Sequence, residues 1–388
     1  MIGKYLPTFR GRDLLAAAWR GQGSQTRLRE QLAALFQMRH VFVFRSARSA
    51  LYALLQSLGR RGTVVLPAYN CIAVPEAVTW AGWRPVFADI APGTVNMTSE
   101  TLAACVQEDA QAVILTHQFG LPTVVEPIVG LCRRLGLFVI EDAAAALGAS
   151  YRGRPVGTFG DASVISFHLT KVANAGHAGV LLTNNDLVAE RVQSLWSPGE
   201  SMAKGAADFC KAAAWWVAMQ PHCYPVLRRL RRILYEDPLY EVVVPNLKPP
   251  TDSFISCSRF VSQLASTQVA RLASIVAARR GAARIYVERL SGHGNGIRVC
   301  PVPDGAEPAW TQFPVFVERK EECYRFFLEH GVDLSWTFRY SCAASYGTSR
   351  APNSERAART LLGLPTYPGL APEEARRICD LFHMFLLN

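Results

Sequence analysis

The sequence predicts an α/β protein: a mostly parallel central sheet flanked by helices, followed by a smaller α+β C-terminal domain. Three observations predict it. Short apolar runs of strand length alternate with stretches of helical period through the first half of the chain. The run Leu137-Phe138-Val139-Ile140 is continuously apolar and ends on Glu141 and Asp142, as a parallel strand buried on both faces does. Towards the C-terminus the rhythm gives way to short strands mixed with helices. The 388 residues suffice for two or three packed units, and the divide falls between a large domain, residues 1–250, and a smaller one, residues 251–388.

The elements follow in order. Residues 41–44, Val-Phe-Val-Phe, read as a short strand. In 46–58 the apolar residues Ala47, Ala50, Leu51, Leu54 and Leu55 recur with helical spacing. Residues 63–66 form a strand that Pro67 stops, 72–81 a helix, and 85–88 the next strand. A helix over 98–106 has Thr98 or Ser99 as its N-cap. The strand 112–115 precedes a helix over 125–135 that Gly136 ends. Residues 162–167 and 180–182 read as a hairpin pair around Lys171. Residues 196–250 then break the rhythm, with Trp215-Trp216, the arginines 228, 229, 231 and 232, and an exit marked by Pro238, Pro245, Pro249 and Pro250. This reads as an inserted helical excursion. A long helical stretch over 254–290, with one break, leads to strands at 297–299 and 313–316 and helices at 321–330 and 372–387.

Bulk properties narrow the function classes. Half the residues are hydrophobic and 19% are charged, as in a well-buried enzyme. No apolar run reaches the length of a membrane span, and the start of the chain lacks the apolar core of a signal peptide. The ten cysteines are scattered with no Cys-x-x-Cys pair, which reads as reduced core residues of a cytoplasmic protein and gives no metal site. The net charge of +10 suits an anionic small-molecule substrate, but no nucleic-acid-binding module accompanies it. The arginine group reads by default as a packed helix with a solvated basic face. Contact of residues 207–235 with a membrane surface is the sharper, lesser reading.

Asp142 and Lys171 carry the chemistry. Sheets of this kind collect ligands at the carboxyl ends of their strands, and Asp142 lies at such an end. Pyridoxal phosphate (PLP) needs a lysine amine for its Schiff base and a carboxylate facing its pyridinium nitrogen. An aspartate and a lysine at the ends of neighbouring strands supply both. Ser166 offers a hydroxyl to the phosphate, and Gly176 and Gly179 permit a tight turn beside the cofactor.

The segment Glu141-Asp142-Ala143-Ala144, then Gly153 to Asp161, then Ser166-Phe167 and Lys171, resembles the DegT-type sugar aminotransferases, which are fold-type-I PLP transferases. Leu66-Pro67-Ala68-Tyr69, Pro85 to Ile90, His117-Gln118-Phe119-Gly120 and Leu364 to Leu370 resemble further family segments, so the likeness spans nearly the whole chain outside 196–250. The resemblance implies that Lys171 forms the Schiff base and Asp142 holds the ring nitrogen. Ser166 and the backbone at Ala47-Arg48 would hold the phosphate at a helix N-terminus. Arg259 falls in the family's Asn-x-Arg segment, which reaches into the partner subunit's site, so a homodimer with shared sites is implied.

The chain departs from the family at several of these places. Ser46-Ala47-Arg48 stands for Ser-Gly-Thr, Cys71 for an aromatic residue that stacks on the ring, Ala145 for a glutamine against the cofactor, His177 for the glutamate of Gly-Glu-Gly-Gly, and Cys257 for the asparagine. Arg48 can offset the first change with a charged contact to phosphate. His117, His177, Arg259, Arg339 and Tyr340 are candidates for substrate contact, structural histidines being the default for the first two. The leading expectation is an aminotransferase of saccharide or natural-product biosynthesis that moves an amino group from an amino acid, glutamate being the expected donor, to a keto-sugar expected to be nucleotide-linked. Its rivals are a PLP enzyme of another reaction type (dehydration, decarboxylation or carbon–carbon bond formation) on a non-sugar substrate, and a non-catalytic sensory or scaffold protein that kept the fold.

Overall fold

The computed structural model describes residues 1–19, 23–198, 202–234, 243–292, 296–348 and 350–387. Seven strands build the main sheet: β1 (His40–Phe44), β2 (Thr63–Pro67), β3 (Arg84–Ala88), β4 (Ala110–Thr116), β5 (Phe138–Asp142), β6 (Ala162–Ser166) and β7 (Gly179–Thr183). Their order across the sheet is β1-β7-β6-β5-β4-β2-β3. β2 to β6 pair in parallel, whereas β7 runs antiparallel to both of its neighbours.

Both faces are covered, as the continuously apolar strands require. Val41, Val43, Val113, Val139 and Ile165 point into one core, which the helices Ser24–Phe36, Val125–Arg134 and Arg259–Ala270 close with Leu28, Leu32, Ile128 and Leu264. Phe42, Phe44, Ile114, Ile140 and Val164 point the other way, under Leu54, Val78 and Val192 of the helices Ala47–Ser57, Ala73–Trp80 and Asp186–Leu195. Each such fully buried leucine contributes about 1.5–3 kcal/mol.

A third core fills the C-terminal part. There β8 (Ile297–Val299), β9 (Phe313–Val317) and β10 (Leu361–Leu364) form an antiparallel sheet, with Phe313, Phe327 and Phe382 packed beside it. Packing interleaves near the middle of the chain. Phe260 and Leu264, and Leu272 and Val276 of the next helix, join the core of the large sheet, while Ile2 bridges to Val332.

The sequence expectations hold with local differences. The helix expected over 98–106 spans only Ser99–Ala103, closed at its start by a reciprocal Thr98–Thr101 capping box. The stretch over 254–290 breaks at Arg271, between Arg259–Ala270 and Leu272–Leu290. The excursion consists of the helices Met202–Ala218 and Tyr224–Leu234. Trp215 packs 5.9 Å from Phe9, and Phe209 lies 5.6 Å from Phe260, so the first helix is docked on the core of the main sheet. In the second, Arg228 turns inward and donates to the Tyr324 hydroxyl at 2.9 Å, beside Asp333. That corrects the solvated basic face for this arginine; Arg229 is exposed. The side chains of Arg231 and Arg232, and all of Pro238, lie outside the described residues. Among the described residues no helix is long and apolar enough to cross a membrane.

Candidate active site

Asp142 closes β5 and sits opposite Val164 of β6. β6 ends at Ser166, and the chain turns through 167–178 before returning as β7, with Ser166 opposite Gly179. This turn carries Lys171. Lys171, Asp142 and Ser166 line one cavity of about 440 Å³ at the carboxyl end of the parallel strands. Ala47, Arg48, Cys71, Ala145 and His177 line it too.

The Asp142 carboxyl is buried, and the Ala144 N–H donates to its Oδ1 at 3.0 Å. Burial pushes its pKa up, against the opposing pull of the Lys171 ammonium, the Ala144 N–H and His117. Such a carboxylate gains from a cationic N–H brought against it, which is what a protonated pyridine offers. At the far end of the cavity Ser46 caps the Ala47–Ser57 helix, its Oγ accepting from Ser49 N–H at 3.0 Å. Gly179 lies so close that a Cβ there would meet the Ala47 nitrogen at 2.1 Å, so only glycine admits this helix start beside β7. Ser166 Oγ, nearly buried, accepts from His168 N–H at 3.2 Å. A helix N-terminus with a serine hydroxyl beside it is a built anion site. The residues present therefore fit PLP.

The remaining candidates divide. Arg48 lines the cavity, but its guanidinium is held 2.7 Å from the buried Glu76 carboxylate and lies over the Trp80 ring. The Cys71 turn is fixed from both sides. Cys71 N–H donates to Asn70 Oδ1 at 2.8 Å, and Ile72 N–H donates to the Tyr340 hydroxyl at 3.0 Å. Tyr340 thus braces the turn without lining the cavity. Arg339 stacks on Trp336, 5.0 Å from the ring, and also stays outside.

Two candidates are turned into the chain's own interior, which for His117 is the structural role taken as its default. His117 makes no substrate contact, because it is fully buried and its two nitrogens face Glu141 Oε2 and the Thr123 N–H, each at 3.1 Å. With Nδ1 accepting from Thr123, Nε2 is the nitrogen turned to Glu141, and the ring is held as a structural group. Glu141 in turn accepts from the N–H groups of Gly157, Phe159 and Gly160, which pins the 157–160 turn. Cys257 is the second. Its side chain has no exposed surface and its Sγ lies 3.2 Å from Ser262 Oγ, so the short thiol points into its own chain and cannot reach a partner's cofactor. Arg259, two residues on, is exposed.

Sequence reading missed several wall residues because distant segments bring them in. Tyr5, Trp80, Thr311, Gln312 and Phe338 line the cavity. Gln118, from the recognised His-Gln-Phe-Gly, also lines it, and its amide donates to Tyr69 O at 2.8 Å and Asn70 Oδ1 at 3.1 Å. Phe119 holds a left-handed backbone (φ 58°), fastened by Thr311 N–H to its carbonyl at 2.8 Å. A bulky residue keeps that conformation only where its surroundings enforce it, and no local motif announces it. Arg279 escaped notice among its many arginine neighbours.

A mostly parallel sheet with one antiparallel strand, an aspartate at one strand end and a lysine in the turn after its neighbour form an α/β scaffold with its ligand site at the strand ends. The sequence matches the model of the DegT/DnrJ/EryC1/StrS aminotransferase family over residues 10–214 and 258–383, and the chain belongs to that family. It is an aminotransferase with the fold-type-I architecture. It is 29% identical over 384 residues to the dTDP-4-dehydro-2,3,6-trideoxy-D-glucose 4-aminotransferase of Saccharopolyspora spinosa, covering 95% of this chain and 91% of that one. Among solved structures it resembles the aminotransferase TlmJ of Streptoalloteichus hindustanus, with a TM-score of 0.79 and 26% identity over 100% of this chain and 99% of that one. It also shares the fold of DesI, solved in the presence of its TDP-sugar product, with a TM-score of 0.77 and 23% identity over 99% and 92% of the two chains. The family match breaks at 215–257, within or beside the excursion.

Proposed function

We propose that this aminotransferase holds PLP through Lys171 and Asp142 and passes an amino group from glutamate to the keto group of a nucleotide-linked sugar. The observation that carries the reading is the meeting of Lys171, Asp142 and a capped helix N-terminus in one cavity. The acceptor class is drawn from the sugar-nucleotide substrate in the name of the S. spinosa relative. When bound, the cofactor supplies the electron sink that lets the nitrogen-bearing carbon lose a proton.

The protein's own residues do the rest. Asp142 keeps a negative charge where the ring nitrogen needs its proton. The Ala47-Arg48 backbone and Ser166 bind the phosphate and so fix the ring's position. Lys171, once its amine is released, takes a proton from one carbon and returns it to another. Arg259 is exposed, and its resemblance to the family's Asn-x-Arg segment supports lending it to a partner's site in a homodimer.

Borohydride reduction of purified, PLP-loaded protein is expected to fix the cofactor on Lys171, read by peptide mass. A label on another lysine, or an undiminished label in Lys171→Ala, would overturn the assignment. Glutamate alone should then yield 2-oxoglutarate in an amount equal to the bound cofactor. Its absence, with the Lys171 label intact, would favour the other PLP reaction types, for which the small residues Cys71 and Ala145 leave the cavity wall free of the expected aromatic and amide.

A further inference from the structure

The phosphate end of the cavity has an unusual charge arrangement. Arg48, in the first turn of the Ala47–Ser57 helix, is held by Glu76 at 2.7 Å. Glu76 is buried and is itself fixed by the Asn246 N–H at 2.7 Å, so the guanidinium has a settled partner away from the helix N-terminus. His177 is another basic side chain of this cavity. It lines the same cavity as Ser46, Ala47 and Ser166, and it lies two residues before Gly179, whose backbone touches the Ser46-Ala47 peptide.

The excursion supports this histidine. Asp208 of the Met202–Ala218 helix is buried, and one of its oxygens lies 3.5 Å from His177 Nε2. The same oxygen accepts from the Ser258 hydroxyl at 2.7 Å, which fixes the carboxylate. His177 Nε2 is buried without a hydrogen-bond partner. An imidazole backed by a carboxylate and left short of a partner is suited to take a proton when an anion arrives.

We propose that His177, held by Asp208 of the inserted helix, is an anion contact for the cofactor's phosphate, in the role that Arg48 gives up to Glu76. This rests on the cofactor reading above. It gives the excursion a function: its first helix carries the carboxylate that lets a histidine serve where the family places a glutamate.

The charge balance follows from the groups around the ring. Burial lowers the His177 pKa most; Asp208 raises it, while Arg45 and Lys211 lower it further. His168 adds no charge of its own: burial lowers its pKa to about 4, with Lys171, His177 and Arg48 pushing the same way. The empty-handed imidazole is therefore neutral at pH 7.5, and a phosphate dianion beside it favours the imidazolium. PLP binding takes up a proton, and affinity falls as pH rises through the pKa of the bound state.

The test compares PLP with pyridoxal, which lacks the phosphate, on apoprotein of wild type, His177→Gln, His177→Lys and Asp208→Asn. His177→Gln should weaken PLP roughly tenfold, the scale of one charge-assisted contact, and leave pyridoxal within about twofold. His177→Lys, which keeps a cation, should retain the preference for PLP, and Asp208→Asn should lose part of it. Calorimetry at pH 7.5 in buffers of different ionisation enthalpy should show proton uptake on PLP binding that shrinks in His177→Gln. The phosphate's own ionisation is common to all variants and cancels in that difference. An unchanged ratio of PLP to pyridoxal affinity in a folded His177→Gln protein would overturn the inference while leaving the Lys171 label untouched. A wild type that binds neither compound would overturn the cofactor reading itself.

Discussion

Arg279 shows how much of this site rests on a single residue that touches nothing reactive. Its guanidinium is buried, and no acid pairs with it among the described residues. It donates instead to the carbonyls of Lys171 and Val172 on one side and of Trp310 and Thr311 on the other, and to Thr366 Oγ1, at 3.0–3.3 Å. Burial lowers its pKa to about 9, so it remains charged at neutral pH. It fastens the lysine turn to the segments around Trp310 and Thr366. Arg279→Met should strip several buried carbonyls of their donor and destabilise the protein by about 2–4 kcal/mol in urea unfolding. A loss under about 0.5 kcal/mol, the scale of a surface change, would refute the clamp. The sequence made Asp142, Lys171 and Ser166 legible because strand ends and turn glycines are local signals. It hid Arg279, Asp208 and Glu76, since a buried charge is recognised only by the distant carbonyls or cations that surround it. It did not reveal that Cys257 is buried beside Ser262, because a motif position says where a residue lies in the chain and not which way a short side chain turns.

At the scale of elements, the strands and most helices were readable because each has a period or a stop that a window of residues reveals. Lys320 marks the limit of such reading. It opens the helix Lys320–Glu329, where a cation opposes the helix dipole, and an exposed lysine is the natural expectation. Instead it is buried, with Nζ donating to Ala358 O at 2.7 Å and lying 4.5 Å from the Trp336 ring centre. Burial lowers its pKa to about 6, with Arg339 pushing the same way. The folded state thus holds a proton less tightly than the unfolded chain. Between pH 6 and the ordinary lysine value near 10.5 the unfolded state binds more protons, so stability rises with pH across that window. The penalty is complete below about 6 and gone above 10.5. Lys320→Met should therefore stabilise the protein by about 1–3 kcal/mol near pH 6, with the gain shrinking towards pH 10. Thermal unfolding of both proteins from pH 6 to pH 10 measures it. A difference that is flat or grows with pH would show that the amine is not charged against burial.

The whole molecule raises the question of which chain completes which site. Lys171, Asp142 and the helix start come together within one chain. Arg259 does not: it is exposed at the start of the Arg259–Ala270 helix, outside its own cavity. An exposed arginine in a segment that resembles the family's Asn-x-Arg is explained if a two-fold axis brings it to the partner's cavity, each subunit lending one to the other. The native mass should then be twice the 42.7 kDa of the chain. Complementation tests the geometry more sharply than mass does. Lys171→Ala and Arg259→Ala should each be nearly inactive as homodimers. In a mixed dimer both lesions meet in one site when the arginine crosses over, because the site lacking Lys171 is completed by the chain that lacks Arg259; the second site is then intact. Random exchange makes half the dimers mixed, each with one working site, so activity should return to ~25% of wild type. If Arg259 instead serves its own chain, the mixed dimer holds one damaged site of each kind and no activity returns. That result, obtained with dimers shown by labelling to have exchanged, would place Arg259 in its own subunit and leave the sharing of sites without support.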